Sequence, residues 1–439
     1  MFLILALYFA AAVLALAVMT AGRRVHPLVA LIVVAIGFAV AAGMAMSQFG
    51  KAFGTGFAQA VNGLGLLVLA AAMMSEIADS TGATARLMAA ARGCRRPWLP
   101  IGGLSLIGGL GSTPAAAFAL LAPLRRALGG TERAALDLGL GLSAAHGALL
   151  PAPVMLASVT ILGADWRMVL EYGAVAALAG VGAALLIARA GETALPEPAP
   201  DPIGDKPVAP RRAVLALLVT TAVLLAMLVT QSLGDIASEP FGGGPNREFL
   251  LGIGRPAVLL PVGVGLLLLL SWRWETGGLS QHGWAGRAIP NAASLILILG
   301  AAGGLQRIVQ ETGMPEMNAE RLLDFLPVPA LTLVIPFAVA AMVKTLQGSS
   351  LVAAITAAGM IAPVLGTLGL DDASGRALAA LAIGAGAMAV SHVNDGLFWL
   401  VAAATGRTAA GTLLRFSLGT GVQAGIILAV LLFMRQLAL

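Results

Sequence analysis

The sequence predicts an all-α integral membrane protein of roughly 11–14 transmembrane or re-entrant helices, at about 20 residues per span. The helices are expected to form two inverted-topology repeats, with broken helices at the bilayer midplane. Three observations carry that prediction. Of 439 residues, 59% are hydrophobic and 11% charged, with a mean hydropathy of +0.94, whereas soluble domains carry about 25% charged residues. Two Gly/Ser interruptions, Gly111-Ser112-Thr113 and Gly348-Ser349-Ser350, sit inside apolar stretches. Further landmarks recur in the same order around both interruptions.

Taken in order, Met1–Met19 is apolar with no basic residue ahead of it, and Arg23-Arg24 follow. A cleavable leader carries its positive charge in front, so this stretch reads as a first transmembrane helix with Arg23 and Arg24 in the cytoplasm. Leu28–Met46 and Phe57–Met74 read as the next spans. Leu99–Leu124 is a span broken at its glycines, Leu138–Val159 one broken at Pro151 and Pro153, and Val169–Ile187 closes the first half. Gly191–Arg212 is polar and rich in proline, an extended linker. It divides residues 1–190 from 213–439. The second half contains Val214–Val229, Pro256–Leu270, Ala292–Leu305, Pro329–Met342, Leu351–Leu365, Ala377–Val390 and Gly411–Phe433. Abundant glycine and few aromatic residues favour closely packed helices over a β-barrel, which needs alternating segments.

The duplication rests on matched landmarks. Ser80-Thr81-Gly82 corresponds to Glu311-Thr312-Gly313, Gly111-Ser112 to Gly348-Ser349, and His146 to His392. Equivalent loops carry opposite charge. Ser80–Pro97 holds Arg86, Arg92, Arg95 and Arg96 with no acid, whereas Glu311–Pro327 holds Glu311, Glu316, Glu320 and Asp324 against Arg321. Basic loops stay in the cytoplasm, so the loops fall on opposite sides and the repeats are inverted. That is a transporter architecture, with its site where broken helices meet.

Chemistry concentrates in Ser391-His392-Val393-Asn394-Asp395-Gly396, flanked by apolar sequence on both sides. Unpaired polar groups in hydrocarbon cost several kcal/mol, so the cluster reads as a functional site; a loop at the membrane surface is the bland alternative. A Gly/Ser turn opening a half-helix presents free N–H groups at a positive dipole end, a seat for a carboxylate. The substrate-binding candidates are therefore Gly111, Ser112, Thr113, Gly348, Ser349, Ser350 and Asn394, and the ligand an organic anion. Asp395, in a dry cavity, could carry a proton. His392 and His146 are further ion- or proton-coupling candidates, or else neutral histidines bonded to backbone carbonyls. Lys344 ends an apolar helix just before the second break. It reads as a snorkelling cation, with pairing to substrate or Asp395 as the other reading.

Exclusions are equally plain. No Walker motif, His-Glu-x-x-His or Gly-x-Ser-x-Gly elbow occurs, so the chain reads as neither an ATP-driven pump nor an enzyme. Cys94 is the single cysteine, which removes an intrachain disulfide or cysteine-rich metal site. Neither a cofactor nor a metal is expected. The net charge of +5 sits in short loops and reports topology rather than nucleic-acid binding. A membrane pore or scaffold is the non-transport alternative.

Ser391-His392-Val393-Asn394-Asp395, followed by Phe398-Trp399-Leu400, resembles the C-terminal signature of the gluconate permease family. Gly348-Ser349-Ser350-Leu351-Val352-Ala353-Ala354-Ile355-Thr356-Ala357-Ala358-Gly359 is similar to a second segment of that family, and Ala301-Ala302-Gly303-Gly304 with Glu311-Thr312-Gly313 to a third. The resemblance implies a bacterial inner-membrane, multi-pass symporter that couples protons to uptake of gluconate-like sugar acids or related hydroxy acids. Sodium coupling or cation/proton antiport is the alternative within the superfamily, and a homodimer is an admissible assembly. The first half departs from the pattern. Ala115 stands where the family carries an acid, and Ala152 where it carries a histidine, which favours a smaller or less hydroxylated acid.

Overall fold

The computed structural model describes residues 2–21, 24–92, 98–111, 113–128, 131–190, 211–236, 242–272, 277–313 and 332–438. Ser112, the linker up to residue 210, residues 93–97 of the first charged loop and most of the second charged loop lie outside the described residues. Among the described residues all regular structure is helical, as composition requires of a chain that must satisfy its backbone within lipid.

Among the described residues five helices are long and apolar enough to cross a membrane: Met46–Ser80, Trp166–Arg189, Arg211–Gly234, Trp284–Glu311 and Ala409–Leu437. A sixth span forms if Pro245–Ile253 and Pro256–Ser271, bent by 62° at Gly254, count as one. Eight further apolar helices are shorter. A 15-residue helix such as Pro27–Ala41 covers about 22 Å at 1.5 Å per residue, short of a roughly 30 Å hydrocarbon core.

The succession of these short helices occurs twice. Trp98–Gly109, a break, Pro114–Leu120 and Ala122–Leu128 precede Glu132–His146, a second break, Pro153–Leu162 and the long Trp166–Ala190. Val334–Gln347, a break, and Ser350–Ile361 precede Ala373–Ala387, a second break, Gly396–Thr405 and the long run from Ala409. Glu132–His146 and Ala373–Ala387 each have 15 residues, and the helices following them each have 10. Packing crosses between the sets. Pro153–Leu162 lies on Ser350–Ile361, and Gly396–Thr405 on Pro114–Leu120.

The remaining helices brace this core. Met46–Ala60 and Trp284–Glu311 cross with backbones nearly touching. A Cβ at Gly56 would lie 2.2 Å from the Gly303 carbonyl oxygen, and one at Gly303 2.6 Å from that of Gly56. Small residues permit such approach in membrane helices, where dispersion rather than water exclusion drives association. The 35-residue Met46–Ser80 helix is longer than the Phe57–Met74 span read from sequence. It is interrupted by a π turn at Val61–Gly65, a local widening that recurs at functional sites.

Candidate functional site

Val334–Gln347 ends because Gly348 turns left-handed, with φ +80°. A side chain is barred there twice over: by the backbone conformation, and by Asn394, whose carbonyl oxygen lies 2.3 Å from where a Cβ would be. Ser349 then caps the next helix, its Oγ accepting from Val352 N–H at 3.4 Å. The amides of Ser350 and Leu351 occupy the first two helical positions, which have no carbonyl one turn back to bond. In the other half Thr113 caps Pro114–Leu120, its Oγ1 accepting from Ala116 N–H at 3.1 Å.

The segment from Ser391 to Asp395 is stitched to the end of Val334–Gln347. Asn394 Nδ2 donates to the carbonyls of Thr345 and Leu346, each at 3.2 Å. His392 Nε2 donates to the same Thr345 carbonyl at 2.6 Å. Lys344 is 1% exposed, and its Nζ donates to Asp395 Oδ2 at 2.7 Å and to the Gly348 carbonyl at 2.6 Å. Asp395 Oδ2 also accepts from Ser391 Oγ, while Oδ1 accepts from Leu397 N–H at 3.0 Å and so caps Gly396–Thr405. Ser391, His392 and Asn394 are buried, so the motif is no membrane-surface loop. Nor does Lys344 snorkel: four methylenes carry its ammonium inward to a carboxylate, and the buried charge is tolerated because it is paired and bonded.

His146 repeats the histidine arrangement in the first half. Its Nδ1 donates to the Gly109 carbonyl at 3.1 Å, at the end of the helix before the first break, as His392 does at the end of the helix before the second. A carbonyl can only accept, so Nδ1 carries the proton and the neutral ring's acceptor is Nε2.

A cavity of about 370 Å³ joins both breaks. Its wall includes Thr113, Ala115 and His146 from the first half and Gly348, Ser349, Ser350 and Asp395 from the second. Gly63 and Leu64 of the π turn, Gln231, Gly254 and Gln306 complete it. These twelve residues come from sequence regions far apart, and six of them, Thr113, His146, Gly348, Ser349, Ser350 and Asp395, were candidates by sequence. Gly111 stands behind the wall against Leu228, and Ser112 lies outside the described residues. Asn394 is turned into the helix end it caps. His392 faces Phe9, with ring centroids 5.8 Å apart, away from the cavity wall. Among the described residues no cluster of His, Cys, Asp and Glu could hold a metal ion.

The sequence pattern of the GntP family permease matches residues 3–437. The chain belongs to the GntP permease family. Among its relatives, the gluconate permease of Pseudomonas aeruginosa is 27% identical over 89% of this chain and 88% of that protein. The low-affinity gluconate transporter of Escherichia coli is 28% identical over 89% of each. The D-serine transporter DsdX of Escherichia coli is 24% identical over 92% of each. As a GntP family permease the chain is a multi-pass membrane transporter and not an enzyme.

For Lys344 the sequence favoured a snorkelling cation over the pairing with Asp395 that the structure shows, and two further features of this permease's site escaped it. The π turn leaves no compositional mark beyond Gly63 and Gly65. Gln231 and Gln306 are single amides in apolar helices, and only their convergence on one cavity singles them out.

Proposed function

We propose that this permease imports a gluconate-like sugar acid or a related small hydroxy-carboxylate by proton symport in the bacterial inner membrane, by alternating access between two inverted repeats divided at residues 191–212. The observation that carries the reading is the cavity itself. It is of the size that small-molecule sites occupy, lies where two helix breaks meet, and is walled by hydroxyls, a histidine and a carboxylate among apolar neighbours. The duplicated helix order and the matched His146–Gly109 and His392–Thr345 bonds support the repeats.

In this reading the substrate carboxylate sits at the start of Ser350–Ile361, where the free amides of Ser350 and Leu351 and the positive helix end stabilise an anion. Thr113 and Ser350 supply hydroxyls, and Gly348 and Ser349 hold the turn. Gly111 sets the approach of the first break, Ser112 is a further hydroxyl candidate by sequence, and Asn394 holds the second break shut. Protons are handled at Asp395 and at His146, whose Nε2 is left to accept; His392, with its buried Nδ1 lacking a partner, is the third coupling group.

Uptake of labelled gluconate, glycerate, lactate and 3-hydroxybutyrate into proteoliposomes, with the lumen alkaline, tests this directly. Accumulation that collapses with a protonophore supports proton symport. Accumulation that follows a sodium gradient instead replaces the coupling ion, and no accumulation of any acid under either gradient overturns the reading.

A further inference from the structure

The cavity wall contains two carboxamides that the duplicated helices do not supply. Gln231 comes from Arg211–Gly234 and Gln306 from Trp284–Glu311. Among the described residues neither side chain hydrogen-bonds to the protein, although both are partly buried and in apolar helices. By contrast Gln423, another buried amide, donates to the Leu140 and Gly180 carbonyls. A carboxamide left without a protein partner at membrane depth is expensive unless something in the cavity meets it.

We propose that Gln231 and Gln306 bind the uncharged, hydroxylated tail of a monocarboxylate and so determine which acids this permease accepts. A carboxamide offers both donors and an acceptor, the complement of a hydroxyl that must give and receive. Charge points the same way. Among the described residues Asp395 is the one formally charged residue in the wall, and Lys344 behind it offsets that charge. The wall therefore has no cation for a second carboxylate, and a diacid would bring an uncompensated charge into a dry site. Gly254, at the bend between Pro245–Ile253 and Pro256–Ser271, leaves room for the first amide. A Cβ there would lie 2.7 Å from Gln231 Oε1 and 2.6 Å from its Cβ.

This assignment rests on the carboxylate-uptake reading above, and one experiment separates the two. Full-length protein in proteoliposomes is assayed for labelled gluconate uptake, with unlabelled glucarate and glycerate as competitors. Glucarate replaces the terminal hydroxymethyl of gluconate with a second carboxylate. For the wild type, glucarate should compete at least about tenfold more weakly than gluconate itself, because the diacid finds no cation. Gln306→Leu and Gln231→Leu should each raise the KM for gluconate about tenfold, with maximal rate far less affected, because a site built for hydroxyls loses them selectively. Glycerate inhibition should change less than gluconate KM. Gln306→Asn, which keeps the amide, should sit between wild type and Gln306→Leu even where the leucine variant folds poorly, and Gly254→Ala should reproduce the Gln231 effect. Equal loss for every acid, a fall in rate with KM unchanged, or glucarate competing as well as gluconate overturns the assignment while leaving the uptake reading intact. A wild type that takes up no acid removes both.

Discussion

Between Gln347 and Ser350 the chain turns inside a mesh of charges and amides; between Gly109 and Pro114 it turns among alanines and glycines. Trp98–Leu124 contains no charged residue. There the helices close by shape. Gly108 abuts Leu142, Gly109 abuts Ala145, and Ala115, Ala116 and Ala117 are buried. Among the described residues the His146–Gly109 bond is the one long polar cross-link at that end. At the other break Lys344, His392, Asn394 and Asp395 make bonds across the gap, and Ser391 steadies Asp395 from within its own segment. The two breaks share a topology and differ in what holds them. One is fixed by dispersion, which no ligand can neutralise; the other by charge, which a proton or a substrate can.

The sharpest way to break that contrast is Lys344→Met. Leaving the partly buried Asp395 without its cation, held only by Ser391 and the Leu397 amide, should cost about 1–3 kcal/mol of stability, read as a lowered melting temperature in detergent. Lys344→Met combined with Asp395→Leu should recover most of it without recovering transport. A single variant as stable as wild type would mean the pair is not what secures this break.

Asp395→Asn comes next. It keeps a capping group for Leu397 N–H but removes the charge, so gradient-driven uptake should fall about tenfold or more, on the scale of one charge-assisted bond, while substrate exchange persists. Unchanged uptake would take Asp395 out of coupling. Gly348→Ala must then be compared with Gly111→Ala. The first forces a Cβ into Asn394 at φ +80° and should cost at least about 1–3 kcal/mol. The second meets Leu228 at 3.2 Å and should cost under about 1 kcal/mol; parity between them would erase the distinction drawn here. Smallest are Ser349→Ala and Thr113→Ala, each removing a helix cap worth about 1 kcal/mol, measurable as matched shifts in melting temperature.

Much of this was legible beforehand because it is local. Composition gives membrane helices, glycine and proline mark where they stop, and the clustering of His392, Asn394 and Asp395 marks a site. Thr113, Ser349 and Ser350 line the cavity as their turn chemistry suggests. What sequence could not convey is which way a side chain faces once helices pack. His392 and His146 occupy matching positions, yet one is walled off by Phe9 from the opening helix and the other borders the cavity. Lys344 reads as a helix-end cation until a segment 51 residues away folds back onto it.

Asp395 holds two helix ends with one carboxylate. Oδ1 caps the start of Gly396–Thr405, while Oδ2 grips the lysine that also ties down the Gly348 carbonyl. One carboxylate thus fastens the end of Val334–Gln347 to the start of Gly396–Thr405, and a loss of its charge would weaken both anchors at once.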